Sequence, residues 1–202
     1  WSFVKSLSCK RYIIVDYDKY RLFLETAFKQ FQSADLISSK NNCDQVIKDF
    51  PNNPDALNLL VLISRSNKKI GKAEQIARIA LESNPDNASL LNSFGLVLMD
   101  QRRFADAKKA LQRALALKPN KVEMISNLGV AYYELGEFDN AELMFAKALK
   151  INSQYLKAIV AYINLATAKL DFKLAKKYIE IGNAINKNDT DLINSIAVYF
   201  LC

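Results

Sequence analysis

One spacing constrains this chain more than any other feature: residues of matching size recur every 34 positions. A fixed interval of that length marks a protein assembled from copies of one short supersecondary unit, each leaning on the next. Phe94-Gly95 returns as Leu128-Gly129. Twelve residues past each glycine stands a small residue, Ala107 and then Ala141. Four further on comes a large apolar one, Leu111 and then Phe145, and three more give Ala114 and Ala148. Carried backwards, the phase meets Leu57, Leu60, Val61, Ala73, Ala77, Ala80 and Pro85, and before them Phe23, Ala27, Ser39, Cys43, Val46 and Pro51. Carried forwards, it meets Ile159, Tyr162, Ala175, Ile179 and Gly182.

The copies occupy residues 20–53, 54–87, 88–121, 122–155 and 156–189. Each holds two stretches of helical apolar periodicity. In the third copy the spacing predicts helices over about Ala88 to Asp100 and Phe104 to Leu117, joined by Gln101 to Arg103. Pro51, Pro85 and Pro119 stand where second helices end, because proline lacks an N–H and clashes with the preceding turn. Residues 190–202 read as the first helix of a sixth copy, with Ile193, Ile196, Ala197 and Phe200 on one face. Residues 1–19 fall outside the period and read as a leader, helical or the edge of a preceding copy, despite the β-branched run in Tyr12-Ile13-Ile14-Val15.

Over residues 20–202 this pattern resembles the tetratricopeptide repeat. The resemblance implies an all-α fold, a right-handed α-solenoid of antiparallel helix pairs: about five units and a terminal helix. It also implies that small residues mark helix contacts, as Gly95 and Ala107 would, with Tyr132 and Phe145 filling the space between neighbours. The frequent Trp slot of the family holds Phe23, Leu57, Leu91, Ile125 and Ile159 here. Ser153 and Lys187 replace the closing proline, Ser39 and Cys43 take core slots, and Gly182 stands where alanine is usual. Pentatricopeptide repeats, which read RNA, are one residue longer and close on a Gly-x-x-Pro turn. The ends Leu117-Lys118-Pro119-Asn120 and Ser83-Asn84-Pro85-Asp86 lack that glycine.

The same resemblance places function on the concave face lined by first helices. Its slots hold Arg21, Leu24, Phe28 and Phe31 in the first copy, then Asp55, Asn58, Leu62 and Arg65 in the second. The third supplies Asn92, Ser93, Leu96 and Met99, and the fourth Glu123, Ser126, Asn127, Val130 and Tyr133. The fifth supplies Lys157, Val160, Asn164 and Thr167, and the last helix Asp191, Asn194 and Val198. Asparagine recurs at positions 58, 92, 127, 164 and 194. One amide offers two donors and a carbonyl, enough to hold both the N–H and the C=O of an extended peptide. Such a row is similar to the asparagine ladder of O-linked N-acetylglucosamine transferases, and Asn127 in Ser126-Asn127-Leu128-Gly129 matches its slot best. A plain solvated face explains the same residues, since Asn41-Asn42 and Asn52-Asn53 read as loops in an asparagine-rich chain. The clamp that holds acidic chaperone tails is absent: the family's lysine and asparagine slots hold Leu24 and Phe28 in the first copy and Asn58 and Leu62 in the second.

Composition narrows the chemistry. The chain has no histidine, which excludes Ser-His-Asp and Cys-His relays and His-ligated zinc. Five glycines leave little room for phosphate-cradling loops, and half the residues are hydrophobic, as a folding chain requires. Cys9, Cys43 and Cys202 are odd in number and far apart, forming neither a disulfide framework nor a metal knuckle, which favours a reducing cytoplasm. No stretch reaches the roughly 18 apolar residues of a membrane span. A net charge of +7 is spread along the chain rather than gathered into an arm. Lys68-Lys69 and Arg102-Arg103 share one inter-helix turn, while Lys108-Lys109 and Lys176-Lys177 lie on outward faces as solvated edges. The acidic residues Asp100, Glu123 and Glu134 converge with no second group, and Cys43 reads as a buried, inert thiol. No catalytic residue, metal ligand or cofactor is assigned.

The expected function is a non-catalytic protein-interaction scaffold that holds an extended peptide or partner helix, with no nucleic acid. The expected contacts are Asn58, Leu62, Asn92, Leu96, Met99, Asn127, Val130, Tyr133, Asn164 and Asn194. The alternative is the substrate-recognition arm of a larger enzyme, a glycosyltransferase or sulfotransferase. An opening at Trp1 and an end at Cys202 within an apolar run read as a fragment, and leave open a catalytic domain, signal or anchor outside these residues.

Overall fold

A computed structural model of the chain describes residues 20–201; the leader expected at 1–19 lies outside them. The described residues are helical throughout, joined by short turns. First helices are α1 (20–32), α3 (Pro54–Ser66), α5 (Ala88–Asp100), α7 (Val122–Glu134), α9 (Leu156–Ala168) and α11 (Thr190–Leu201). Second helices are α2 (Leu36–Asp49), α4 (Ile70–Ser83), α6 (Phe104–Leu117), α8 (Phe138–Ile151) and α10 (Phe172–Asn186). From α2 to α11 the starting residues within each set fall 34 apart, and the third copy's helices have the expected limits.

The turns inside the hairpins repeat as faithfully as the helices. Ala34, Lys68, Arg102, Gly136 and Leu170 all have positive φ, between 58° and 74°, at intervals of 34. Each first helix closes with two backbone bonds, as Lys68 N–H donates to Arg65 O and Lys69 N–H to Ser64 O, both at 2.9 Å. This is the Schellman arrangement, in which one left-handed residue lets the last carbonyls find donors. The next residue already precedes the following helix: Asp35 and Asp171 accept from Ser38 N–H and Leu174 N–H with their carboxylates. Before α3 and α5 the caps are asparagines, with Asn53 and Asn87 each accepting two backbone N–H groups.

Proline is not required to end a second helix. The N–H groups of Phe50, Asn84, Lys118 and Asn152 each donate to the carbonyl four residues back. Helix α8 stops at Ile151 although Ser153 replaces proline. Where Lys187 replaces it, α10 runs one residue longer than the 14 of the other second helices.

The chain divides into two compact units, Trp1–Val97 and Leu98–Cys202. In the N-terminal unit α2 packs on α3 and α3 on α4. Its core joins Ala27, Cys43, Val46, Ala56, Leu59 and Ile63, and a second cluster holds Val61, Ala73, Ala77 and Val97. Ser39, at a core slot, is fully buried and donates to the Ala27 carbonyl at 2.7 Å, so its hydroxyl is satisfied. Asn41 and Asn42, expected in a loop, lie inside α2, where the Asn42 amide donates to Gln30 Oε1 at 2.7 Å.

In the C-terminal unit each helix from α6 to α9 packs on its successor, and α9 also holds α10 and α11. Ala107, Ala114, Ala141, Ala148 and Ala175 are wholly buried. A Cβ on Gly129 would stand 2.5 Å from Phe145 Cε1 and 3.1 Å from Met144 Cβ. Gly182 is needed for a similar reason, because a Cβ there would lie 2.7 Å from Leu192 Cδ1 of α11. The terminal helix corrects an expectation. Its buried residues are Leu192 and Ser195, whereas Ile193, Ala197 and Phe200 of the expected apolar face are exposed.

Glycine thus suits two kinds of position in this fold, the turn and the close contact, and substitution separates them. Leu170→Gly relieves a left-handed leucine and raises unfolding free energy by about 1 kcal/mol, the usual cost of that conformation. Gly129→Ala lowers it by about 1–3 kcal/mol through overpacking against Phe145. Equilibrium urea denaturation of each variant measures both.

Candidate peptide-binding surface

Each unit carries its own share of the expected surface. In the N-terminal unit Asn58 and Leu62 sit on α3, Asn92 and Leu96 on α5, and all four are half-buried. Ser93, expected to line the groove, is buried instead, and its hydroxyl donates to Asn58 Oδ1 at 2.7 Å. That bond fixes the Asn58 amide plane across two first helices, and it uses one carbonyl lone pair that a peptide would otherwise occupy.

In the C-terminal unit Met99, Asn127, Val130, Tyr133 and Asn164 are half-buried, and Asn194 is exposed. Met99 packs against the cluster of Leu111, Leu128 and Ala131. Val130 and Tyr133 pack on Ala141, Phe145, Tyr162 and Leu165, and the Tyr133 ring lies 5.8 Å from Phe138. Burial, helped by the Glu134 charge, raises the Tyr133 phenol above its ordinary pKa, so it stays a neutral donor and acceptor at physiological pH. Ser126 and Thr167, also expected to face a ligand, are buried. Small hydroxyl residues fit where first helices meet, and the sequence slot does not distinguish that contact from the open face.

Several charges on the hairpin edges are paired. Arg103 binds Asp106 at 2.8 Å, and Lys108, expected to be a solvated outward lysine, binds Glu137 of the following turn at 2.7 Å. The hydrogen bond from Lys108, then that from Asn140, holds the Glu137 carboxyl below its usual pKa. One hairpin later the signs reverse. Glu142 of α8 binds Lys169 of the next turn at 2.7 Å, with Asp139 at 3.6 Å, and the Glu142 bond raises the Lys169 pKa. These pairs followed no pattern visible in advance, because the partners are 29 and 27 residues apart and of alternating sign.

Cys43 is fully buried, and desolvation, more than the neighbouring Asp44 charge, pushes its thiol up to about 12. It is a packing residue, as its core slot suggested. Among the described residues no helix is long and apolar enough to cross a membrane.

With the geometry in place, comparison with known proteins is informative. A family model described as tetratricopeptide repeat matches residues 93–155. Those residues carry tetratricopeptide repeats. Solved structures extend the likeness to nearly all of it, at the level of fold. TTC0263, a thermophilic tetratricopeptide repeat protein of Thermus thermophilus, superposes with a TM-score of 0.77 at 18% identity, covering 91% of this chain and 100% of that one. PilW, a type IV pilus biogenesis factor, gives 0.76 at 19% identity over 90% and 89%. YrrB, a tetratricopeptide repeat protein with an unusual peptide-binding site, gives 0.62 at 17% identity over 87% and 90%. No curated protein sequence matches the chain. The fold class is therefore the right-handed α-solenoid of antiparallel tetratricopeptide hairpins.

Burial of Cys43 gives a pH test with a definite sign. A thiol whose pKa is raised by folding adds stability that is complete below the unfolded value near 9.0 and is lost as pH climbs toward about 12. Alkylation mapped by mass spectrometry at pH 8 is expected to spare Cys43 in the native chain and modify it in urea. Cys43→Ala is expected to flatten the decline in stability above pH 9, which urea titrations at pH 8 and pH 10 measure.

Proposed function

We propose that this chain is a non-catalytic scaffold for protein–protein interaction, holding an extended peptide or a partner helix against its first helices. The observation that carries this reading is the half-burial of Asn58, Leu62, Asn92 and Leu96 in one unit and of Met99, Asn127, Val130, Tyr133 and Asn164 in the other. Side chains held on one flank by packing and open on the other lose little freedom on binding, and this preorganisation favours affinity. Amides on successive first helices, Asn127 on α7, Asn164 on α9 and Asn194 on α11, would meet the backbone of an extended segment. Leu62, Leu96, Met99 and Val130 would take its apolar side chains, and the Tyr133 hydroxyl a polar group.

Protein rather than nucleic acid is the partner this chemistry suits. Lys108, Arg103 and Lys169 already neutralise acidic neighbours, so these three add little to a basic track of the kind a phosphate backbone requires. YrrB offers a precedent for a peptide site on this fold.

Asn92→Ala with Asn127→Ala tests the amide contacts. Capture of peptides from a displayed random library is expected to fall at least tenfold, with the thermal midpoint within a few degrees of the parent. Unchanged capture would reduce the asparagines to solvated surface. Tyr133→Phe separates the hydroxyl from the ring and is expected to cost binding less than Tyr133→Ala.

A further inference from the structure

The C-terminal unit carries more basic residues than acidic ones, yet its first helices do not share that excess. Its second helices α6, α8 and α10 hold eight lysines and arginines against four acids. Its first helices α7, α9 and α11 reverse the balance, with Glu123, Glu134 and Asp191 against Lys157 alone. Two of these acids lie on α7, eleven residues apart, which is within about 20° of three full helical turns. They therefore share one face of the helix, and Asn127 and Val130 stand between them on the same stripe. Both carboxylates are exposed, while the two residues between them are half-buried.

Helix stability accounts for one of these acids and not for the other. Glu123 sits in the first turn of α7, where the macrodipole favours an acid. Glu134 is the last residue of α7, at the end where the dipole disfavours one. Among the described residues it forms no ion pair that would offset this. Its charge is felt at the Tyr133 phenol, so a carboxylate and a half-buried ring meet at one end of the stripe. A cation fits that pair, held by the charge of Glu134 and by the ring face of Tyr133. We infer that the peptide held against α7 is basic, with one arginine or lysine at Glu134 and Tyr133 and a second at Glu123. The carboxylates are about 16 Å apart along the axis, the span of about five extended residues, so the two basic positions stand roughly four to six apart. Lys157, on the neighbouring α9, opposes a cation and keeps the basic side chains along α7. This inference rests on the peptide-binding reading of the surface and names the chemistry of what it holds.

The chain as a whole carries +7, so non-specific attraction draws acidic peptides, and a basic selection runs against it. A displayed library of random dodecapeptides panned on the full chain is the test. Selected sequences are expected to be enriched about twofold or more in arginine and lysine over the input, and depleted in aspartate and glutamate. Glu123→Gln with Glu134→Gln is expected to abolish that enrichment and to weaken the best basic peptide about tenfold in fluorescence anisotropy. The thermal midpoint of this variant is expected to stay level or rise, because an acid has left the unfavourable end of a helix. Lys157→Glu is expected to tighten the same peptide. Selection of peptides with no basic bias, whose capture is lost in Asn92→Ala with Asn127→Ala, would overturn this inference and keep the scaffold reading. Selection of no peptide would overturn both. A basic enrichment that survives Glu123→Gln with Glu134→Gln would also overturn it, since the cations would then be read elsewhere.

Discussion

The fold rests on helices that come closer than ordinary side chains permit. Ala107, Ala114, Ala141, Ala148 and Ala175 have no exposed surface, and Gly129 has no room for even one methyl group beside Phe145. Small residues at these points let large ones a few positions away, Leu111, Phe145 and Ile179, reach across and fill the space between hairpins. Because packing at interior density tolerates neither voids nor overlap, small and large must alternate in register. The 34-residue interval is the sequence record of that requirement.

Turns hold the register from the other side. Five Schellman closures place a left-handed residue at the same slot, and only one of the five is glycine. Ala34, Lys68, Arg102 and Leu170 accept a conformation that costs L-residues about 1–2 kcal/mol. Hydrogen bonds to two otherwise orphaned carbonyls offset this, and so does packing of the helices the turn delivers. Local preference is overridden because each hairpin is over-determined by its neighbours.

Much of the fold was legible because it follows from size at fixed spacing. Ala73, Ala107, Ala141 and Ala175 could be aligned without a structure, and Cys43 could be assigned to the core. The glycine slot in the turn was not legible: Lys68, Arg102 and Leu170 carry no sign of positive φ, and only Gly136 does. The candidate surface was legible in part. An asparagine at slot five is indistinguishable by type from one tied to a neighbouring serine, as Asn58 is to Ser93. For the same reason Ser126 and Thr167 looked like lining residues and are packed inside. Apolar periodicity in α11 was visible, but not which of two adjacent apolar arcs meets the protein.

Alanine-to-leucine substitution tests the small-contact constraint most directly, because leucine keeps nearly all of alanine's helix propensity and adds only bulk. Unfolding free energies from urea would be compared for Ala107→Leu and Ala141→Leu, at buried contact points, and for Ala105→Leu and Ala146→Leu, on exposed faces of the same helices. The account predicts losses of about 1–3 kcal/mol for the first pair and changes within about 0.5 kcal/mol for the second. Equal effects at all four positions would contradict it, since the spacing of small residues would then not be what lets the hairpins nest.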